Sequence, residues 1–328
     1  MSTATVPFVI GQWVCGPRFY GREAEIAALR GSPRCWQWVA GLRRIGKTSL
    51  LKQLDFLARA DAAEIVPLFW DLQGAGSAEE LGLTFTDALL DAEEPLARLG
   101  ISADEVEDGD VFAALEKLAC ALRRGNAALL LLCDEADELM PLDRAEPGLS
   151  ARLWQAVEAC APARVVLASS LRLCDFGAKM MERFGSPVHV GVMTDDEARA
   201  LLRQSQLPAA SRPPFDADAV EALRDLCGNH PMLLQIAAKR WLETGDREET
   251  FFQMAADRTV QHLFAVDFAL LAEAEREILR SLAADRAEAD GPAVRRLLEL
   301  GLIRRGGARG LTIPNRFLAS WLRQPNLI

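Results

Sequence analysis

The sequence predicts an α/β protein: a three-layer core built on a parallel sheet, then an α-helical segment, then a small C-terminal helix–helix–hairpin–helix module. Three observations carry this. Short apolar runs alternate with helical patterns across residues 35–204, as parallel strands joined by crossover helices do. The pattern G-x-x-x-x-G-K-[ST] occupies residues 41–48, between a strand and a helix. A continuous apolar run at 127–133 ends in the acidic pair Asp134-Glu135.

Taken in order, residues 1–20 read as an irregular strap rich in Gly, Pro and aromatic side chains, followed by a short helix over 22–30. Residues 35–40 (CWQWVA) form a strand that runs into GLRRIGKTS. From Lys47 onward, Leu50, Leu51, Leu54 and Leu57 fall at helical spacing. A strand follows at 64–70, then two acidic amphipathic helices over 77–98 and 110–124. The strand at 127–133 precedes a helix at 148–160, a strand at 164–168, a helix near 172–183 and a strand at 188–192. A helix over 194–204 is then N-capped by Thr194. Three prolines in 207–214 mark a change of character. Helical patterns at 216–227, 231–243 and 247–258 come next. The last seventy or so residues read as helix 273–284, helix 292–301, a short hairpin turning through 306–310, and helix 315–323, the order of a winged helix. These boundaries give a core at 1–206, a helical lid at 207–257 and a winged-helix domain at 258–328. No internal repeat occurs.

The residue types at 41–48 suit a phosphate site. Gly41 and Gly46 let the backbone come close to an anion, and the loop N–H groups, with the start of the following helix, cradle it. Leu42, Arg43, Arg44, Ile45 and Ser49 complete the segment. Lys47 reaches the β and γ oxygens of a nucleotide, and the Thr48 hydroxyl suits Mg²⁺. Asp134 would hold the same Mg²⁺ through water, and Glu135 would orient or deprotonate the attacking water. The acidic pair also suits a plain solvated strand end, since Asp137 and Glu138 follow. The Asn-Lys-x-Asp motif of Ras-type GTPases is absent, so the expected ligands are ATP and Mg²⁺. Asp134-Glu135-Ala136-Asp137 spells a helicase box, but no other helicase motif accompanies it.

Composition narrows the classes. The 328 residues are 50% hydrophobic and 26% charged, as in globular proteins. No apolar run approaches the roughly 18 residues of a membrane span. No basic residue precedes Arg18, so the start does not read as a signal peptide and a cytoplasmic location is expected. Seven scattered cysteines read as buried free thiols, and the histidines at 189, 230 and 262 lack metal-ligand spacing. His262 is expected in the core, with Trp36, Trp38, Trp70, Phe317 and Trp321. The net charge of −10 argues against broad nucleic-acid binding. It is uneven: residues 259–328 carry ten basic and eight acidic side chains, leaving −12 on the rest.

In these motifs the chain resembles the STAND ATPases and the archaeal-type AAA+ ATPases, over most of its length. Phe19-Tyr20-Gly21-Arg22-Glu23 is similar to the FxGRExE box that lies near adenine, and GLRRIGKTSLL to GpRRxGKTSLL. Residues 165–170 (VVLASS) match the sensor-1 strand, which implies that Ser169 or Ser170 reports on the γ-phosphate. Gly228-Asn229-His230-Pro231-Met232-Leu233-Leu234 resembles the GGHPxLL motif of the lid, which implies that His230 and Pro231 contact nucleotide. Arg183 falls where AAA+ proteins carry the arginine finger, though a helix-terminal arginine also suits the macrodipole; Arg172 is a second candidate.

The resemblance implies a slowly hydrolysing switch that forms homo-oligomers with ATP. Effector and repeat sensor are missing from the chain, so a separately encoded partner is expected. Arg304, Arg305 and Arg309 fall on the wing, where phosphate contact is common. A DNA-gripping ATPase of origin-recognition or transposition-regulator type is thus the alternative. An internal clamp is the favoured use of the module. A small-molecule kinase does not fit a helical lid with a winged helix.

Overall fold

A strand buried on both faces has no position left for a polar side chain, so continuous apolar runs become the strands of the core. The structure is a computed structural model that describes residues 7–61, 64–170, 182–286, 290–306 and 310–324. Strand β1 is Trp36–Ala40, β2 Ile65–Asp71, β3 Ala128–Asp134, β4 Ala163–Ser169 and β5 Val188–His189. They form one sheet in the order β2-β3-β4-β1-β5. The β2–β3, β3–β4 and β1–β4 pairs are parallel. Because β4 lies between β1 and β3, the loop after β1 and the acidic end of β3 are not on neighbouring strands. Pro67 is tolerated within β2 because β2 is an edge strand.

The chain divides into two compact units, one of Ala24–Ala40 with Lys47–Val188, the other of Met1–Glu23, Gly41–Gly46 and His189–Ile328. In the first, the sheet packs against helices Lys47–Asp61 and Ala78–Asp91, and Val111–Gly125 packs on Ala78–Asp91 and Leu149–Glu158. Trp70, Phe85, Leu115, Leu131 and Trp154 are fully buried there. Trp36, Trp154 and Phe184 meet edge to face, with centroids 5.4–5.9 Å apart. The predicted 77–98 helix is interrupted: Ala78–Asp91 ends at Ala92, and Glu93–Ala97 starts afresh with Pro95 in its first turn. Leu139–Ala145 is a helix with no counterpart in the sequence reading. The 172–183 helix, with Arg172 and Cys174, falls mostly outside the described residues.

The second unit is helical. Thr194 caps Asp195–Arg203 in a reciprocal box with Glu197. Ala217–Cys227, Pro231–Thr244 and Arg247–Ala256 follow. Helix Arg258–Leu270, capped by Asp257, follows and carries His262. Glu273–Ala283, Pro292–Glu299, the hairpin of β6 (Arg304–Gly306) and β7 (Gly310–Thr312), and Arg316–Leu322 complete the winged helix. Phe317 stacks on Phe251 and Trp321 packs against Phe268. His262, expected in the core, lies instead on the exposed face of its helix, where Val260, Leu263, Phe264 and Asp267 turn inward. Cys35 and Cys120 are exposed, whereas Cys133, Cys160 and Cys227 are buried, all of them free. Among the described residues no helix is long and apolar enough to cross a membrane.

Candidate phosphate-binding site

In the sheet unit, Lys47 and Thr48 open helix Lys47–Asp61, and Asp134 ends β3. The Thr48 hydroxyl donates to the Asp134 carboxylate. Asp134 is 3% exposed, and its Oδ1 has no hydrogen-bond partner among the described residues. Burial pushes its carboxyl up to about 6; the Thr48 hydrogen bond opposes the rise, Glu135 adds to it, and the Lys47 ammonium counters it. A buried carboxylate with one oxygen unused, beside a hydroxyl, is a hard oxygen donor set. These residues fit Mg²⁺. Glu135, half-buried, sits at φ 49°, in the left-handed region that side chains other than Gly seldom adopt. Such strain clusters where a side chain has a task.

The loop Gly41–Gly46 belongs to the helical unit. A Cβ on Gly41 would lie 2.4 Å from the Val190 carbonyl oxygen, so only glycine fits. Gly46 has φ 103°, which only glycine adopts without strain, and Arg44 is left-handed at 58°. Leu42 and Ile45 are buried while the Arg43 and Arg44 side chains are exposed. Arg22, 5% exposed, braces the loop: its Nη2 donates to the Ile45 carbonyl at 3.2 Å and to the Gly191 carbonyl at 2.6 Å. Its own N–H donates to Glu197 Oε1 at 2.5 Å. His230, 5% exposed, holds the N-cap position of helix Pro231–Thr244 without a side-chain capping bond. Neither of its ring nitrogens has a hydrogen-bond partner among the described residues. Burial, reinforced by the Arg22 charge, pushes its imidazole down to about 4, so it stands neutral at pH 7.

No protein-family model matches the chain, and neither does any curated protein. Solved structures do. The Walker-type ATPase PABY2304 of Pyrococcus abyssi is similar at 17% identity and TM-score 0.67, over 97% of this chain and 100% of that one. The Aeropyrum pernix ORC2 protein, solved as ADPNP–ADP complexes, is similar at 14% identity and TM-score 0.53, over 98% and 97%. The chain has the fold of a Walker-type ATPase. It comprises a parallel-sheet core with helices, then a helical region that ends in a helix–helix–hairpin–helix module.

Within this Walker-type fold, Lys47, Thr48, Asp134 and Glu135 meet in the sheet unit. Gly41–Gly46, Arg22 and His230 meet in the helical unit. Tyr20 is buried beside Gln206, whose N–H reaches its hydroxyl at 3.4 Å; burial raises the phenol. Gly21 lies close under Glu197, while Ser49 and Pro231 are half-buried in their first helical turns. Ser169 is 1% exposed and engaged: its hydroxyl accepts the Trp38 indole N–H at 2.6 Å and donates to the Ser170 carbonyl at 3.2 Å. The neighbouring Ser170 N–H donates to Asp137 Oδ2 at 2.6 Å. Arg183 pairs with Glu158 at 3.1 Å and lies over the Trp36 ring.

One residue of the site escaped the sequence reading. Asp267, 7% exposed on helix Arg258–Leu270, accepts the Arg43 backbone N–H at 3.2 Å. The signal available was a lone acid in the apolar stretch Phe264-Ala265-Val266-Asp267-Phe268-Ala269-Leu270. A carboxylate on that face demands a buried donor.

Proposed function

We propose that the chain is an ATP-binding, slowly hydrolysing molecular switch of the STAND or AAA+ type. Its nucleotide state would govern homo-oligomerisation and the activation of a separately encoded partner protein. The observation that carries this is the Thr48–Asp134 pair beside Lys47, with a buried carboxylate oxygen at the end of β3 left without a hydrogen-bond partner among the described residues. Loop N–H groups and Lys47 bind the phosphates. Thr48 and Asp134 would hold Mg²⁺, which would supply charge neutralisation at the phosphates. Glu135 accepts a proton from, or orients, the attacking water. His230, neutral and without a hydrogen-bond partner among the described residues, would offer a nitrogen to the nucleotide. Ser170 or Asp137 relays γ-phosphate occupancy, because the Ser169 hydroxyl is already engaged. Arg183, held by Glu158, serves as the finger toward a neighbouring copy. The working division is core 1–206, lid 207–257 and winged helix 258–328. The Asp267 bond to the Arg43 N–H supports the winged-helix segment as an internal clamp on the loop.

Isothermal titration with ATP and Mg²⁺ tests the reading. The wild-type chain should bind. Lys47→Ala should bind about 100-fold more weakly, as expected for losing charged hydrogen bonds worth about 3 kcal/mol. Absence of heat from the wild type would end the proposal.

A second reading has its own observation. Arg304 and Arg305 are exposed on β6 and form no ion pair among the described residues; Arg309 lies outside those residues. Free guanidiniums on a wing suit duplex DNA. If they grip phosphates, the log–log salt slope of duplex binding should shrink by about 2 in the Arg304→Ala, Arg305→Ala double variant. No wild-type binding at low salt would exclude this use.

A further inference from the structure

Among the described residues, the two most exposed large apolar side chains are Phe252, at 66%, and Leu83, at 59%. They belong to complementary surfaces. Phe252 lies in an open groove of about 810 Å³ between helices Arg247–Ala256 and Arg316–Leu322. Phe251, stacked on Phe317, contributes to its apolar wall. Arg247, Arg316 and Arg323 also line it, against one acid, Glu248. Arg247 and Arg316 make no ion pair among the described residues, so the groove presents unneutralised positive charge beside exposed aromatic carbon.

The matching surface is on helix Ala78–Asp91. Its inner face, Leu81, Phe85, Ala88 and Leu89, is buried in the core. Its outer face carries Leu83 and Leu90, the latter 50% exposed. Seven residues separate them, so they stand two turns, roughly 10.5 Å, apart on one stripe. Glu79, Asp87 and Asp91 are exposed beside them. Two leucines flanked by carboxylates make an acidic, apolar helical ridge of the kind that enters a basic, aromatic groove. Exposed apolar groups rimmed by charge mark interaction sites.

We propose that the groove of one copy receives the Ala78–Asp91 ridge of a second copy of this chain. Leucines would meet Phe252, and the ridge carboxylates would meet Arg247 and Arg316. The two surfaces differ, so the contact is heterologous, and each copy donates a ridge and offers a groove. The inference deepens the assembly step of the proposed switch and uses no residue of the phosphate site.

The test is a mixing experiment read by light scattering after size-exclusion chromatography, with and without ATP and Mg²⁺. Wild type should form species of two or more copies at tens of micromolar. Phe252→Glu (groove blocked) and the double variant Leu83→Glu, Leu90→Glu (ridge blocked) should each run as monomers. An equimolar mixture of the two should give a dimer mass and nothing larger, because one intact groove meets one intact ridge. All three positions are exposed, so folding is checked by thermal melts, and ATP affinity measured alongside should match wild type. Loss of assembly with ATP binding intact separates this contact from the phosphate site. Wild type that stays monomeric in every condition, variants that assemble normally, or a mixture that stays monomeric overturns the proposal. So does loss of duplex binding in Phe252→Glu with unchanged mass, which would make the groove a nucleic-acid surface.

Discussion

Glu135→Gln is expected to slow ATP hydrolysis by about 10²- to 10⁴-fold, the usual contribution of a positioned general base. ATP affinity should stay within a few-fold of wild type. The reason is positional. Glu135 follows Asp134 at the end of β3, half-buried, one residue beyond the carboxylate bonded to Thr48. Glutamine keeps the shape and a hydrogen-bonding oxygen but cannot take the proton, so binding survives and turnover does not. A second variant checks that the conformation exists for the side chain's task. At φ 49° a glutamate costs on the order of 1 kcal/mol that glycine does not. Glu135→Gly should therefore leave stability unchanged or raise it by up to about 1 kcal/mol, less the extra chain entropy of glycine when unfolded, while hydrolysis falls as in the glutamine variant. The readouts are single-turnover phosphate release and denaturant midpoints. Unchanged turnover in both variants would remove Glu135 from the mechanism.

How far the sequence disclosed this molecule depends on whether each signal was local. β2, β3 and β4 lie within a residue of where their apolar runs put them, since burial on both faces writes itself into consecutive positions. The Thr194 cap and the 41–48 loop are equally local, being spacings of three to seven residues. Interruptions were harder. The break at Ala92 divides a pattern whose periodicity continues across it, and β5 covers only two residues of the run at 188–192. His262 was assigned inward from apolar neighbours, but one position on a helix turns a side chain by 100°, and the inward face belongs to Leu263, Phe264 and Asp267. The partners of polar side chains were the least legible. Arg22 stood out through its motif, but nothing in that motif says that it braces the Ile45 and Gly191 carbonyls. Asp267 lies 224 residues from Arg43, and no short-range pattern links them.

The pH behaviour of Asp134 is expected to expose its task most directly. Its carboxyl is pushed from 3.8 up to about 6, chiefly by burial. The folded chain therefore holds that proton more tightly than the unfolded chain does. The resulting stability is fully present below about pH 4 and is lost as pH rises from about 4 through about 6. By linkage this loss amounts to about 3 kcal/mol. Above pH 6 the folded protein without ligand carries a buried carboxylate only partly compensated by the Thr48 hydroxyl and Lys47. Asp134→Asn removes that charge while an amide oxygen still accepts from Thr48. Without nucleotide the variant should thus be more stable than wild type by about 2–3 kcal/mol at pH 7.5 and nearly equal to it at pH 4. Its Mg²⁺-dependent hydrolysis should be lost. In the wild type, Mg²⁺ affinity with ATP present should fall about tenfold per pH unit below about 6, because the metal needs the ionised carboxylate. Denaturant titrations of both proteins at four pH values, with Mg²⁺ titrations alongside, decide the matter. An asparagine variant that is less stable at pH 7.5, or Mg²⁺ affinity flat between pH 4.5 and 7, would mean that this carboxylate is a structural group already satisfied by its neighbours.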